Sequence, residues 1–237
     1  MKSLIFILSI FLMLFDQTTA SQTTLAAISP TSLFRKKEER FLLITGCARS
    51  GTTYISRFLC RSGIDVPHEA VGAHGSVSWP MTADSFRSPW GPPSGHYAFT
   101  HTFHQVRDPL KTISSVYATE PQASWNFIQK HISEINPTDS KITKCAKYWI
   151  YWNLMAEEKA EWTYRIENLP NELNKMEAIL GMSIDRTLLN QIPKDLNTRC
   201  PDKKKFTWAD MEKELEPKLL KKMKKLAERY GYPITDR

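Results

Sequence analysis

The residue types best suited to chemistry fall together in Gly46-Cys47-Ala48-Arg49-Ser50-Gly51-Thr52-Thr53. Glycines bound a tight turn, and Arg49, Ser50, Thr52 and Thr53 offer one guanidinium and several hydroxyls. An apolar run, Phe41 to Thr45, precedes the turn, and a helix-compatible pattern follows it. That layout directs backbone amides and the positive end of a helix at an anion. The Gly46-to-Gly51 spacing is that of the Walker A phosphate loop, with Thr53 in the Ser/Thr position. Thr52, however, stands where the lysine that grips the β- and γ-phosphates belongs, and no apolar run ending in Asp supplies a Walker B partner. The pattern suits a phosphate but argues against a magnesium-bound triphosphate. Its bland alternative is a tight strand-to-helix turn with no ligand.

A second group surrounds Arg107. It follows a predicted strand, at the carboxyl end where open α/β sheets bind ligands. Asp108 suits a helix cap and Pro109 the first helical position, which puts Asp108 and Ser115 about two turns apart on one face. Beside the phosphate loop, Arg107 and Ser115 predict a ligand with two separate phosphate groups. Glu69 and the histidines His68, His74, His101 and His104 could act as acid or base, since a carboxylate accepts a proton and an unperturbed imidazole titrates near neutrality. His101 and His104 lie on or at the end of a strand, where structural histidines are common. Arg165 and Arg199 are lesser anion candidates, and Lys203-Lys204-Lys205 reads as a solvated basic surface.

The elements that must position these groups alternate. Phe41–Thr45 reads as a parallel strand buried on both faces. Tyr54, Ile55, Phe58 and Leu59 recur at helical spacing up to a cap at Gly63, and Ile64-Asp65-Val66 fits a short second strand. Residues 67–96, rich in Gly, Ser, Pro, Trp and His, follow neither period and predict a packed lid or substrate wall. Tyr97–Val106 reads as a strand, residues 124–131 as a weak helix, and Ser140–Ala160 as a long one. Trp162–Ile166 predicts a strand, Pro170 to Gly181 a helix, and Thr207–Tyr230 a basic helical tail interrupted at Pro217. Strands alternating with helices after a phosphate loop predict an α/β, three-layer P-loop-type fold, its central sheet mostly parallel and flanked by helices.

The 237 residues suffice for one such domain. A formal charge of +7 favours an anionic ligand or surface. With no zinc-ligand spacing and no RNA- or DNA-reading motif, nucleic acid is excluded as the expected partner. Lys2, the apolar run Leu4–Phe15 and the small Ala20 read as a signal peptide or signal anchor over residues 1–20, followed by a linker over 21–40. The four cysteines, Cys47, Cys60, Cys145 and Cys200, permit a disulfide in an oxidising lumen without defining its pairing.

Gly46-Cys-Ala-Arg-Ser-Gly-Thr-Thr-Tyr54 resembles the 5′-phosphosulfate loop of the sulfotransferases. His104-Gln-Val-Arg-Asp-Pro-Leu110, with Ser115, resembles their 3′-phosphate motif. Shorter matches to bacterial-type and Golgi-type members occur at His68-Glu69, Ser78-Trp79, Tyr148-Trp149, Trp152-Asn153, Tyr164-Arg165-Ile166-Glu167, Asn197-Thr198-Arg199 and Tyr230-Gly231-Tyr232. The resemblance implies a sulfotransferase domain over 41–237 that uses 3′-phosphoadenosine-5′-phosphosulfate (PAPS) as co-substrate, with no metal. It implies that Arg49, Ser50, Gly51, Thr52 and Thr53 hold the 5′-phosphate. Arg107 and Ser115 would hold the 3′-phosphate, which Arg199 could cover, and Glu69, Arg49 and His68 would be the catalytic set. The acceptor is left open among carbohydrate, lipid, peptide and small metabolite. The leader then implies the secretory pathway, in the Golgi lumen, with membrane contact only through a signal anchor. The alternatives are a P-loop nucleotide kinase and an inactive secreted protein that binds a nucleotide or anion.

Overall fold

A computed structural model describes residues 36–193, 196, 200 and 204–235. The leader, most of the expected linker and Arg199 lie outside these residues. Four strands, β1 (Glu38–Thr45), β2 (Gly75–Val77), β3 (Tyr97–Val106) and β4 (Trp162–Arg165), pair side by side in the order β2-β1-β3-β4. Every pairing is parallel, so each connection between neighbouring strands is a crossover rather than a hairpin.

Helices cover both faces. On one, α1 (Thr52–Arg61) and α5 (Leu169–Leu180) pack Ile55, Phe58, Leu59, Leu173 and Met176 against Leu42, Ile44 and Phe103 of the sheet. On the other, Val106 belongs to a second buried cluster that gathers side chains of α2 (Pro109–Thr119), α3 (Gln122–His131), α4 (Lys141–Lys159), α6 (Trp208–Glu214) and α7 (Pro217–Arg229). Trp149 and Trp152 of α4 are almost wholly buried there. The result is a three-layer α/β fold with a phosphate-loop connection between β1 and α1.

Local chemistry fixes the ends of these elements. Asp108 caps α2 by accepting from the Lys111 amide, with Pro109 at the start of the helix. Ser140 does the same for α4 through the Thr143 amide. Thr207 and Asp210 exchange hydrogen bonds in a capping box that opens α6.

Two expectations need correction. Ile64-Asp65-Val66 is not a strand: Ile64 and Val66 are core residues, but the second strand is Gly75–Val77, inside the segment read as an aperiodic wall. Side-chain propensity points to the branched residues, whereas close approach to Leu42 of β1 selects Gly75. The linker also ends earlier than residue 40, because β1 begins at Glu38. Its charged first residues still gain backbone partners from Tyr97, Ala98 and Phe99 of β3.

Candidate active site

The phosphate-loop segment leaves the end of β1, where the Thr45 hydroxyl donates to the Ser78 carbonyl at 2.8 Å. At Gly46 the loop passes so close to β3 that a Cβ would lie 2.2 Å from the Gln105 carbonyl oxygen. Only glycine fits there. Long-range hydrogen bonds then hold the loop from beneath. The Ala48 amide donates to the Tyr148 phenol oxygen at 2.7 Å. Gln105 donates through Nε2 to the Ser50 carbonyl at 2.9 Å and accepts from the Tyr164 hydroxyl at 2.7 Å. Burial pushes both phenols well above their ordinary range, so they remain protonated. Burial also pushes the Cys47 thiol well up, which removes it as a thiolate nucleophile. All four cysteines are free thiols.

Above this support lies a cavity of about 730 Å³. Arg49 and Glu69, both on its wall, are the two non-glycine residues with positive φ among the described residues, at 68° and 52°. A left-handed conformation at such residues costs on the order of 1–3 kcal/mol and persists where its surroundings impose it. The Arg49 Nε donates to Ser115 Oγ at 3.2 Å, while Arg107 Nη1 donates to the Arg49 carbonyl at 2.9 Å. Loop, β3 terminus and α2 thus bring Arg49, Arg107 and Ser115 into one cluster. Beside it, α1 begins at Gly51 with no side-chain cap and no acidic residue in its first turn. Its positive end is therefore left to an anion.

Gly51, Thr52, Thr53, His68 and Glu69 also line this cavity. Thr52 Oγ1 lies 3.0 Å from His68 Nε2, which lies 3.7 Å from a Glu69 carboxylate oxygen. The residue at the Walker lysine position is therefore joined to the base candidates. Ser50 is fully buried and does not line the cavity, so its part in the loop is through the backbone. Arg199 lies outside the described residues. Arg165 turns to the C-terminal segment, donating to the Gly231 carbonyl at 2.6 Å.

The other three candidate histidines have structural partners. His74 Nδ1 accepts from the Asp65 amide at 2.9 Å, and His101 Nδ1 meets Glu161 at 2.8 Å. His104 is buried between Thr163 and Asn153. Because Asn153 Nδ2 donates to the Trp149 carbonyl, its Oδ1 must accept from His104 Nε2–H. Burial lowers the His104 pKa from 6.5 to about 4, so the ring is neutral at pH 7.

Several residues of the site carried no role in the sequence. Gln105 and Tyr148 support the loop from elements far away in the chain. A buried glutamine at the end of an apolar strand was the available signal. Trp90 forms a wall of the cavity, with Nε1 donating to Ser124 Oγ at 2.9 Å. Gly91 brings that wall against the base candidate: a Cβ there would lie 2.0 Å from the Glu69 carbonyl oxygen. The expected wall over 67–96 thus meets the site at His68, Glu69, Trp79 and Trp90.

No protein-family model matches the chain, and no curated protein matches it. Among solved structures, a mouse sulfotransferase, SULT7A1, complexed with PAP, is similar at 13% identity with a TM-score of 0.33. The match covers 78% of this chain and 70% of that one. A likeness of that size transfers no residue's role. Among the described residues, no helix is long and apolar enough to cross a membrane, and no group of three or more His, Cys, Asp or Glu side chains could hold a metal ion.

Proposed function

We propose that this protein is a sulfotransferase that uses PAPS. One observation carries the reading: an uncapped α1 terminus lies beside a linked Arg49–Arg107–Ser115 cluster, with Thr52 in place of the Walker lysine. PAPS has a 5′-phosphosulfate and a separate 3′-phosphate, which suits a P-loop with a second anion group alongside. The volume of about 730 Å³ lies within the range of small-molecule and cofactor sites.

The donor supplies an activated sulfuryl group. The α1 amides, Arg49, Thr52 and Thr53 hold the 5′-phosphate and stabilise the negative charge that grows there as the S–O bond to it breaks. Arginine keeps its proton, so Arg49 acts through charge, and the leaving phosphate departs as an anion. Arg107 and Ser115 hold the 3′-phosphate and fix the donor in line with the acceptor. Glu69 removes the proton of the acceptor hydroxyl or amine as its oxygen or nitrogen bonds to sulfur. His68, between Thr52 and Glu69, orients that carboxylate, and a proton relay through His68 is the second route.

Calorimetry with 3′,5′-ADP, ADP and magnesium-ATP tests the reading. Tight binding of 3′,5′-ADP together with transfer of labelled sulfate from PAPS to an acceptor supports it. Preference for magnesium-ATP would replace it with a nucleotide kinase, and binding without transfer to any acceptor with an inactive relative. The Leu4–Phe15 run supports delivery to the secretory pathway. Cytosolic recovery of the tagged full chain from cells would overturn that placement.

A further inference from the structure

The C-terminal segment reaches the wall of the cavity at Glu167, through the Tyr232 hydroxyl. Register pairs Val106 of β3 with Arg165 of β4, so Asp108 and Glu167 stand two residues beyond that rung. Past the end of the backbone ladder, the Glu167 carboxylate bridges the gap. One oxygen accepts from the Asp108 amide at 3.0 Å, and the other accepts from the Tyr232 hydroxyl at 2.9 Å. Asp108 is the cap of α2, the helix that carries Ser115, and it directly follows Arg107. Glu167 itself lines the cavity.

On charge alone, a carboxylate is a poor choice beside groups that receive phosphate, because like charges repel. What explains Glu167 is what it holds: each oxygen is engaged by a donor from a different segment. Tyr232 is fixed in its turn. Arg165 donates to the Gly231 carbonyl, and its guanidinium lies 5.5 Å from the centre of the Tyr232 ring. Burial first, and Glu167 second, push the Tyr232 phenol up, so it stays a donor.

We infer that Glu167 is a positioning residue that fixes the Arg107–Asp108 turn and α2 for a 3′-phosphate, with Tyr232 as the strut that holds it. The inference rests on the sulfotransferase reading. It predicts that the C-terminal segment sets discrimination between nucleotides with and without a 3′-phosphate, rather than affinity for the nucleotide as a whole.

The test titrates 3′,5′-ADP and 5′-AMP into the full chain and into Glu167→Ala, Glu167→Gln, Tyr232→Phe and Tyr230→Phe. The Tyr230 hydroxyl donates to Glu157 at 3.0 Å, on the same segment but away from the cavity wall, and serves as control. Glu167→Ala should weaken 3′,5′-ADP about tenfold, the equivalent of roughly 1.4 kcal/mol, and 5′-AMP less than about twofold. Tyr232→Phe should shift the same ratio to a smaller extent. Glu167→Gln, whose amide oxygen can still accept from Asp108, should retain most of the preference, and Tyr230→Phe all of it. An equal loss for both nucleotides, an unchanged ratio, or the same change in Tyr230→Phe overturns the role. If Glu167→Ala does not fold, Tyr232→Phe decides. A wild-type chain without preference for 3′,5′-ADP sinks the sulfotransferase reading itself, whereas a preference that survives in both variants sinks only the role of Glu167.

Discussion

Arg49 combines a strained backbone with a charged side chain, and the two can be separated by substitution. Its φ of 68° places its carbonyl toward Arg107 and its guanidinium toward Ser115. Arg49→Ala removes the charge and keeps the strain, while Arg49→Gly removes both. The glycine variant should therefore be more stable than the alanine variant by about 1 kcal/mol in urea denaturation. Both should lose affinity for 3′,5′-ADP and, in sulfate transfer, roughly 10²–10³ in rate, the range for losing one donor to a developing anion. Equal stability of the two would mean that the loop relaxes and stores no strain at this residue. Glu69 makes a different prediction. Its replacement by Gln should lower transfer by roughly 10²–10⁴ and leave 3′,5′-ADP binding nearly intact. Full turnover in Glu69→Gln would move the base to His68.

At the scale of elements, the loop depends on how closely β1 and β3 approach. Gly46→Ala would drive a Cβ into the Gln105 carbonyl, a contact that backbone must move to relieve. A loss of roughly 2–4 kcal/mol in the unfolding free energy is expected, together with loss of 3′,5′-ADP binding. Near-wild-type stability would show that β1 and β3 can slide apart at this point. Much of this layer was legible in the chain, because local signals set it. Asp108-Pro109 starts α2, Ser140 starts α4, Gly181 ends α5, and Pro217 separates α6 from α7. The loop and the Arg107–Ser115 pair were legible for the same reason, since spacing along a strand–helix unit determines which face they share. The three-residue β2 was not, because its place depends on a partner strand rather than on its own Gly-Ser-Val. Nor were Tyr148 and Glu167, whose partners Ala48 and Asp108 lie far away in sequence: α4, packed over the sheet, brings Tyr148 to the loop, and β4 beside β3 brings Glu167 to Asp108.

At the scale of the whole molecule, His104 couples the sheet to its covering layer. Its ring joins β3 to Thr163 of β4 and Asn153 of α4, and packs edge-on near Tyr230 at 5.7 Å. Burial, more than the nearby Arg229, holds its pKa at about 4 against 6.5 in an ordinary setting. Above pH 6.5 neither state binds a proton here, and stability is unaffected. As pH falls below 6.5, the unfolded chain protonates first, so folding weakens until the native ring also protonates near pH 4. The loss reaches about 2 kcal/mol by pH 5 and about 3 kcal/mol near pH 4, since one pKa unit corresponds to about 1.4 kcal/mol. Urea midpoints should therefore fall between pH 7 and pH 5. His104→Gln, which cannot titrate, should start less stable at pH 7 through the loss of a fitted hydrogen-bond pair but decline less steeply. The residual slope has a source in His131, whose pKa is also held down by burial and by Lys130 and Lys159. If the His104→Gln slope over this window matches that of the parent chain, His104 is not what makes the sheet–α4 contact acid-sensitive.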